Sequence, residues 1–277
     1  MKDNMILPGV NVRMGAIPGF SVLPSCSTEK WQANQKEFLL RADGVGAFYV
    51  RNGNEVIYSV EEGADPDWVN LYLNGQVMVA LLHQRKIISF HASSFIYDGR
   101  GVMILGETGA GKSSLTVSFV LDGAGFLTDD LSAVIFRDGR PQIRPFYREV
   151  KLRRDTVFQL GVDQEKLREA EHGTGKHYLR LNNAGVEDFP LDAILKIETG
   201  DCAMPELHKL TSAEKFALLR SEVCSWEFLA GMAETEAAYL QQLIQIVEQV
   251  NFVRVVRPAE ISIMELHAAV KDFLKQI

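Results

Sequence analysis

Gly106-Glu107-Thr108-Gly109-Ala110-Gly111-Lys112-Ser113 fits the spacing G-x-x-x-x-G-K-[ST] at every fixed position. That spacing suits polyphosphate. Glycines let successive backbone N–H groups turn inward and form an anion nest, where side chains would block the approach. A helix starting at Lys112 adds the partial positive charge of its N-terminus. Lys112 then reaches the β- and γ-phosphates, the Ser113 hydroxyl suits magnesium, and Ser114 extends the nucleotide-binding set. With ordinary usage of glycine, lysine and serine, a chance match in such a chain is on the order of 1%. The competing account is a glycine-rich turn that only caps a helix, and the strand–loop–helix context disfavours it.

Asp129 and Asp130 follow the first strand after that helix. Carboxylates at the C-terminal end of a strand sit on the edge where α/β folds bind ligands. Phosphoryl transfer has two uses for them, holding magnesium and taking or orienting the proton of an attacking hydroxyl. An exposed Asp-Asp turn is the plain alternative, weakened by the neighbouring loop. His91 alone reads as a core histidine. It gains interest because its segment hairpins against the strand that feeds the loop. The basic run Arg144, Arg148, Lys151, Arg153 and Arg154 reads mainly as a solvated face, with one or two members available to a phosphate or acidic-substrate pocket. Lys176 and His177 are a similar case, and Glu149 is a possible third acidic group.

The elements that must position these residues can be read coarsely. The region 1–37 reads as irregular or lightly stranded, and Asn52-Gly53 between apolar runs signals a hairpin. A helix is expected over 68–83 and one strand over 87–97. Asp98-Gly99 turns into a second strand, 101–105, that enters the loop. A helix then runs to about 122, and short strands flank the Asp pair. Further on, strands are expected over 192–198 and 251–257, and helices over 212–223, 234–250 and 262–277. The stretch 168–183 reads as a mobile loop. The expected architecture is α/β with a mixed sheet and a phosphate-binding loop, with an N-terminal α/β region at 1–85 and a catalytic domain at 86–277.

Composition bounds the setting. The chain has 277 residues, 47% hydrophobic and 23% charged, with a formal net charge of −7. That balance argues against a broad basic surface for nucleic acid. Cys26, Cys202 and Cys224 are few, odd in number and widely spaced, so neither a disulfide framework nor a zinc spacing is indicated. No leader-like segment or membrane-length apolar run stands out, and a cytoplasmic location is expected.

The residues also carry a resemblance. HASSFIYDGRGVMILGETGAGKSS followed by GFLTDD resembles the catalytic core of HPr kinase/phosphorylase, a bacterial serine kinase family whose nucleotide-binding fold is shared with phosphoenolpyruvate carboxykinases. The resemblance implies an ATP- and Mg2+-dependent kinase in which 106–113 holds the triphosphate and Ser113 also touches the metal. It gives Asp129 the role of base toward the acceptor hydroxyl, Asp130 that of metal support, and His91 a place near acceptor or metal. The family's oligomeric assembly implies a homo-oligomer. Residues 1–85 and 144–183 depart from the family's pattern, so the resemblance implies neither HPr as the substrate nor the reverse reaction. It implies as acceptor a hydroxyl, a serine of a peptide or protein or that of a small molecule, and leaves its identity open. The alternatives are an ordinary small-molecule kinase and a nucleotide-binding regulatory or ATPase protein without acceptor phosphorylation.

Overall fold

The computed structural model describes residues 7–146, 149–163, 165, 167–170, 175–181 and 188–275. The chain forms two compact units, one from Met1–Ser89 with Val223–Gln242 and the other from Phe90–Glu222 with Leu243–Ile277. Arg148, from the basic run, lies outside the described residues.

The first unit holds β1 (Asn11–Met14), β2 (Cys26–Ser27), β3 (Trp31–Ala33), β4 (Glu37–Ala42), β5 (Gly46–Arg51) and β6 (Glu55–Val60). They form one sheet in the order β1-β6-β5-β4-β3-β2. Asn52 and Gly53 turn the β5–β6 hairpin at φ +52° and +66°, the left-handed region these two residues tolerate best. The sparse stretch before β4 is held by a buried acid. The Glu37 carboxylate accepts the Ser21 and Val22 N–H groups at 2.8 and 3.2 Å, and Tyr49 and Asn34 also donate to it. Burial pushes its pKa up, but these donors outweigh that and hold it at about 2. The helix expected over 68–83 is α1 (Pro66–Tyr72) and α2 (Met78–Gln84), joined by a π-helical turn at Leu73–Val77 that contains Gly75.

The second unit is built on a larger mixed sheet. Its strands, in chain order from the junction, are β7 (Ile88–Phe90), whose Ile88 and Ser89 belong to the first unit, β8 (Ser93–Tyr97), β9 (Arg100–Leu105), β10 (Gly125–Thr128), β11 (Ser132–Arg137) and β12 (Arg140–Arg144). β13 (Glu149–Arg153), β14 (Leu167–Glu169) and β15 (Lys176–Arg180) form a separate small sheet in the order β13-β15-β14. β16 (Phe189–Thr199), β17 (Glu206–Lys209) and β18 (Asn251–Arg257) return to the large one. Its path is β10-β8-β9-β16-β12-β11-β7, with β18 on β16 and β17 on β18. β9, β16 and β18 run parallel at the centre. The helices are α3 (Lys112–Leu121), α4 (Arg154–Gln159), α5 (Ser212–Glu222), α6 (Ala233–Gln249), whose part up to Gln242 belongs to the first unit, and α7 (Ile263–Leu274). Phe119 of α3 stacks on Phe95 and on His267 of α7, inside a core that includes Ile104, Leu195 and Val255.

Two expectations need correction. The single strand over 87–97 is broken at His91 and Ala92, because β7 and β8 occupy distant places in the sheet order and no straight strand can serve both. Of the loop expected over 168–183, residues 171–174 and 182–183 lie outside the described residues, and most of the rest forms strands instead, since Leu167, Leu179, Val150 and Leu152 bury one face of the small sheet. No helix among the described residues is long and apolar enough to cross a membrane.

Candidate functional site

β9 is buried along nearly its whole length and delivers the chain to Gly106 at the edge of the parallel centre. The loop from Gly106 to Gly111 then turns on three glycines at φ +154°, +89° and +107°. Only Gly106 is also sterically required, because a Cβ there would stand 2.5 Å from the Ile197 carbonyl oxygen. At Gly109 and Gly111 the space is open and the backbone conformation is what calls for glycine. Gly111 caps α3 with no side-chain hydrogen bond, which leaves the first N–H groups of that helix without the usual capping oxygen.

Lys112 is 7% exposed, and its Nζ folds back to donate to the carbonyls of Gly106 at 2.6 Å and Glu107 at 3.3 Å. Burial lowers its pKa, opposed by the nearby Glu222, Asp129 and Asp130. The Ser113 hydroxyl donates to Asp129 Oδ1 at 2.9 Å, and the Lys151 N–H donates to Oδ2 at 3.3 Å. Asp129 is 2% exposed. Burial and the adjacent Asp130 push its carboxyl up to about 7, against the lowering effect of Ser93, Ser113 and the Lys151 N–H. Ser93 is close enough to act on the charge, yet its buried Oγ meets no partner at regular hydrogen-bond geometry among the described residues.

Asp130 turns outward. Its φ is +65°, and the Leu131 N–H returns to the Asp129 carbonyl at 2.8 Å. This is the strained form of the three-residue turn, braced by the Thr128 hydroxyl on the Leu131 carbonyl. His91 donates from Nδ1 to the Asp130 carbonyl at 3.1 Å, which fixes the proton on that nitrogen. Burial and the charge of Lys112 lower the His91 pKa, although part of the ring meets solvent.

The loop, the Asp pair and His91 therefore share one locality. Sequence reasoning missed three other members of it. Arg257, at the end of β18, donates from Nε to the Ala110 carbonyl at 2.9 Å. Lys196 and Glu222 form an ion pair whose carboxylate also acts on Lys112. No spacing rule links residues 26 or 147 positions apart. Of the basic run, Arg144 is committed to Asp188 through two bonds of 2.8 and 2.9 Å, while Lys151 Nζ lies 3.6 Å from Asp130 Oδ2. Glu149 pairs with Arg168.

No family model and no curated protein matches this chain. Among solved structures, the HPr(Ser) kinase/phosphatase from Coxiella burnetii aligns over 68% of this chain and 97% of its own, at 13% identity and a TM-score of 0.37. A likeness that weak carries no argument about fold or activity. The site stands on its own geometry.

That geometry fits a triphosphate and a magnesium ion. The glycine loop is open at Gly109 and Gly111, and the uncapped start of α3 offers N–H donors to an anion. Among the described residues no trio of His, Cys, Asp or Glu is set to hold a metal by itself. Magnesium commonly takes one or two carboxylates with substrate phosphates, and the Ser113 hydroxyl bonded to the Asp129 carboxylate, with Asp130 next in the chain, offers donors of that kind.

Proposed function

We propose that this protein is an ATP- and Mg2+-dependent kinase that transfers the γ-phosphoryl group to a hydroxyl on a peptide, protein or small molecule. The observation that carries the reading is the Ser113–Asp129 hydrogen bond beside the inward-folded Lys112, with the Asp129 carboxyl at about 7. The backbone of 106–111 and the start of α3 cradle the phosphates, and Lys112 exchanges its two carbonyls for phosphate oxygens. Ser113 and Asp130 hold the magnesium, which when bound neutralises charge on the phosphates. Asp129 takes the acceptor proton, for which a pKa near neutrality is well matched. The acceptor oxygen bonds to the γ-phosphorus as the bond to the bridging oxygen breaks, and the diphosphate leaves with that electron pair. His91 positions the Asp130 turn.

A second reading, nucleotide binding without acceptor phosphorylation, draws support from the closure of Asp129. Both of its oxygens are engaged and it is almost sealed from solvent. One experiment separates the two. Labelled ATP with magnesium is incubated with the protein and a cell extract, and label is followed into acceptors and into free phosphate. Label in an acceptor, lost in Asp129→Asn, supports the kinase. Label only in phosphate, or none with ATP bound, favours the second reading.

A further inference from the structure

The small sheet β13-β15-β14 has two unlike faces. Strand alternation and the pairing Lys151↔Tyr178↔Arg168, with Arg153↔Lys176 and Glu149↔Arg180, put these side chains together on one of them. The opposite face carries Val150, Leu152 and Leu179 and is buried in an apolar cluster with Val117 and Val157. The first face is thus basic, with Glu149 its single carboxylate among the described strand residues, in a chain whose net charge is −7. Arg168 is balanced by Glu149 at 3.0 Å, whereas Arg153 and Arg180 are exposed and make no ion pair among the described residues.

This face begins at the candidate site, since the Lys151 N–H reaches Asp129 and its Nζ lies 3.6 Å from Asp130. Its aromatic residue is already covered. Lys151 Nζ and the Arg168 guanidinium stand 5.3 and 4.5 Å from the Tyr178 ring centroid. That leaves no open platform for stacking a nucleic-acid base, while arginine forks suit carboxylates.

We propose that this face docks an acidic flank of the phosphate acceptor, a peptide segment with Asp or Glu a few residues from the reacting hydroxyl. The inference rests on the kinase reading. Arg153 stands two residues along β13 from Lys151, about 7 Å at strand rise. An extended peptide rising about 3.3 Å per residue would therefore place its acidic side chains about two to four positions from the hydroxyl.

The probe is a fluorescent serine peptide with glutamates two to four residues after the serine, compared with its glutamine twin by anisotropy. The double reversal R153E/R180E and the conservative R153K/R180K are measured beside the wild type, with ATP affinity and melting temperature recorded for each. We expect the wild type to bind the glutamate peptide about tenfold more tightly than the twin, with the preference shrinking as salt rises. The reversal should lose that preference with ATP affinity and melting temperature unchanged, and the lysine variant should keep it. Equal binding of both peptides by the wild type, or an intact preference in R153E/R180E, overturns the proposal. So does an RNA oligonucleotide that displaces the acidic peptide at equal charge. If ATP binds normally in those cases, the kinase reading survives and only the docking face is lost. If the wild type binds no ATP, the kinase reading fails and takes this inference with it.

Discussion

Asp129 and Asp130 are neighbours in sequence but not in environment. Asp129 is sealed, bonded to Ser113 and raised to about 7, while Asp130 points outward on a strained turn. Asp129→Asn keeps the shape and removes the basic oxygen, so transfer should fall by about 10²-fold or more while ATP still binds. Wild-type transfer in that variant would refute the base assignment. Asp130→Asn should instead raise the magnesium needed for half-maximal rate. Lys112→Ala removes the charge aimed at the phosphates, and calorimetry should show ATP affinity sharply reduced. His91→Asn retains a donor near the Asp130 carbonyl. It should slow transfer with little change in melting temperature, and a large drop in stability with normal activity would mark His91 as structural.

At the scale of elements, the loop glycines are not equivalent. Gly106→Ala meets both a positive φ and the Ile197 carbonyl at 2.5 Å, whereas Gly109→Ala meets only the φ cost, with nothing within 4 Å. The left-handed penalty for a residue with Cβ is roughly 1–2 kcal/mol. Denaturant melts should therefore show Gly109→Ala losing about that much and Gly106→Ala clearly more. Equal losses would mean the loop's backbone differs from the one described. The last helix offers an independent check. Ser262 accepts the Glu265 N–H at 3.2 Å and the Glu265 carboxylate accepts the Ser262 N–H at 3.1 Å, a reciprocal cap on α7. Ser262→Ala should cost about 1 kcal/mol without touching ATP binding.

Across the whole molecule, two buried groups oppose each other in their response to pH. The Asp129 carboxyl is raised from 3.8 to about 7, so the native state holds a proton the unfolded chain has released. Its contribution to stability is full below pH 3.8 and is lost as pH rises through about 7. His83 is lowered from 6.5 to about 4 by burial. Its neutral form is favoured on folding, so that contribution is present above pH 6.5 and is lost as pH falls toward 4. Asp129→Asn should therefore raise the melting temperature at pH 8, leave it nearly unchanged at pH 4, and uncover a steeper fall from pH 6.5 to 4. Parallel wild-type and variant profiles would show that Asp129 is ionised when folded. ATP with magnesium should raise the wild-type melting temperature by binding the native state, worth about 2.7 kcal/mol at a hundredfold excess over Kd. Some of this was legible in the residues alone. The spacing of Gly106, Gly111, Lys112 and Ser113, the Asp-Gly turns, and the strand and helix that bracket the loop depend on local chemistry that a linear chain displays. The break at His91 was not, because it follows from where β7 and β8 fall in the sheet order. Nor were the Ser113–Asp129 bond, the Lys196–Glu222 pair, the hold of Arg257 on Ala110, or the basic face of β13 and β15. Each depends on segments distant in sequence being brought together and on the burial that results, and burial is what moves Asp129 to neutrality.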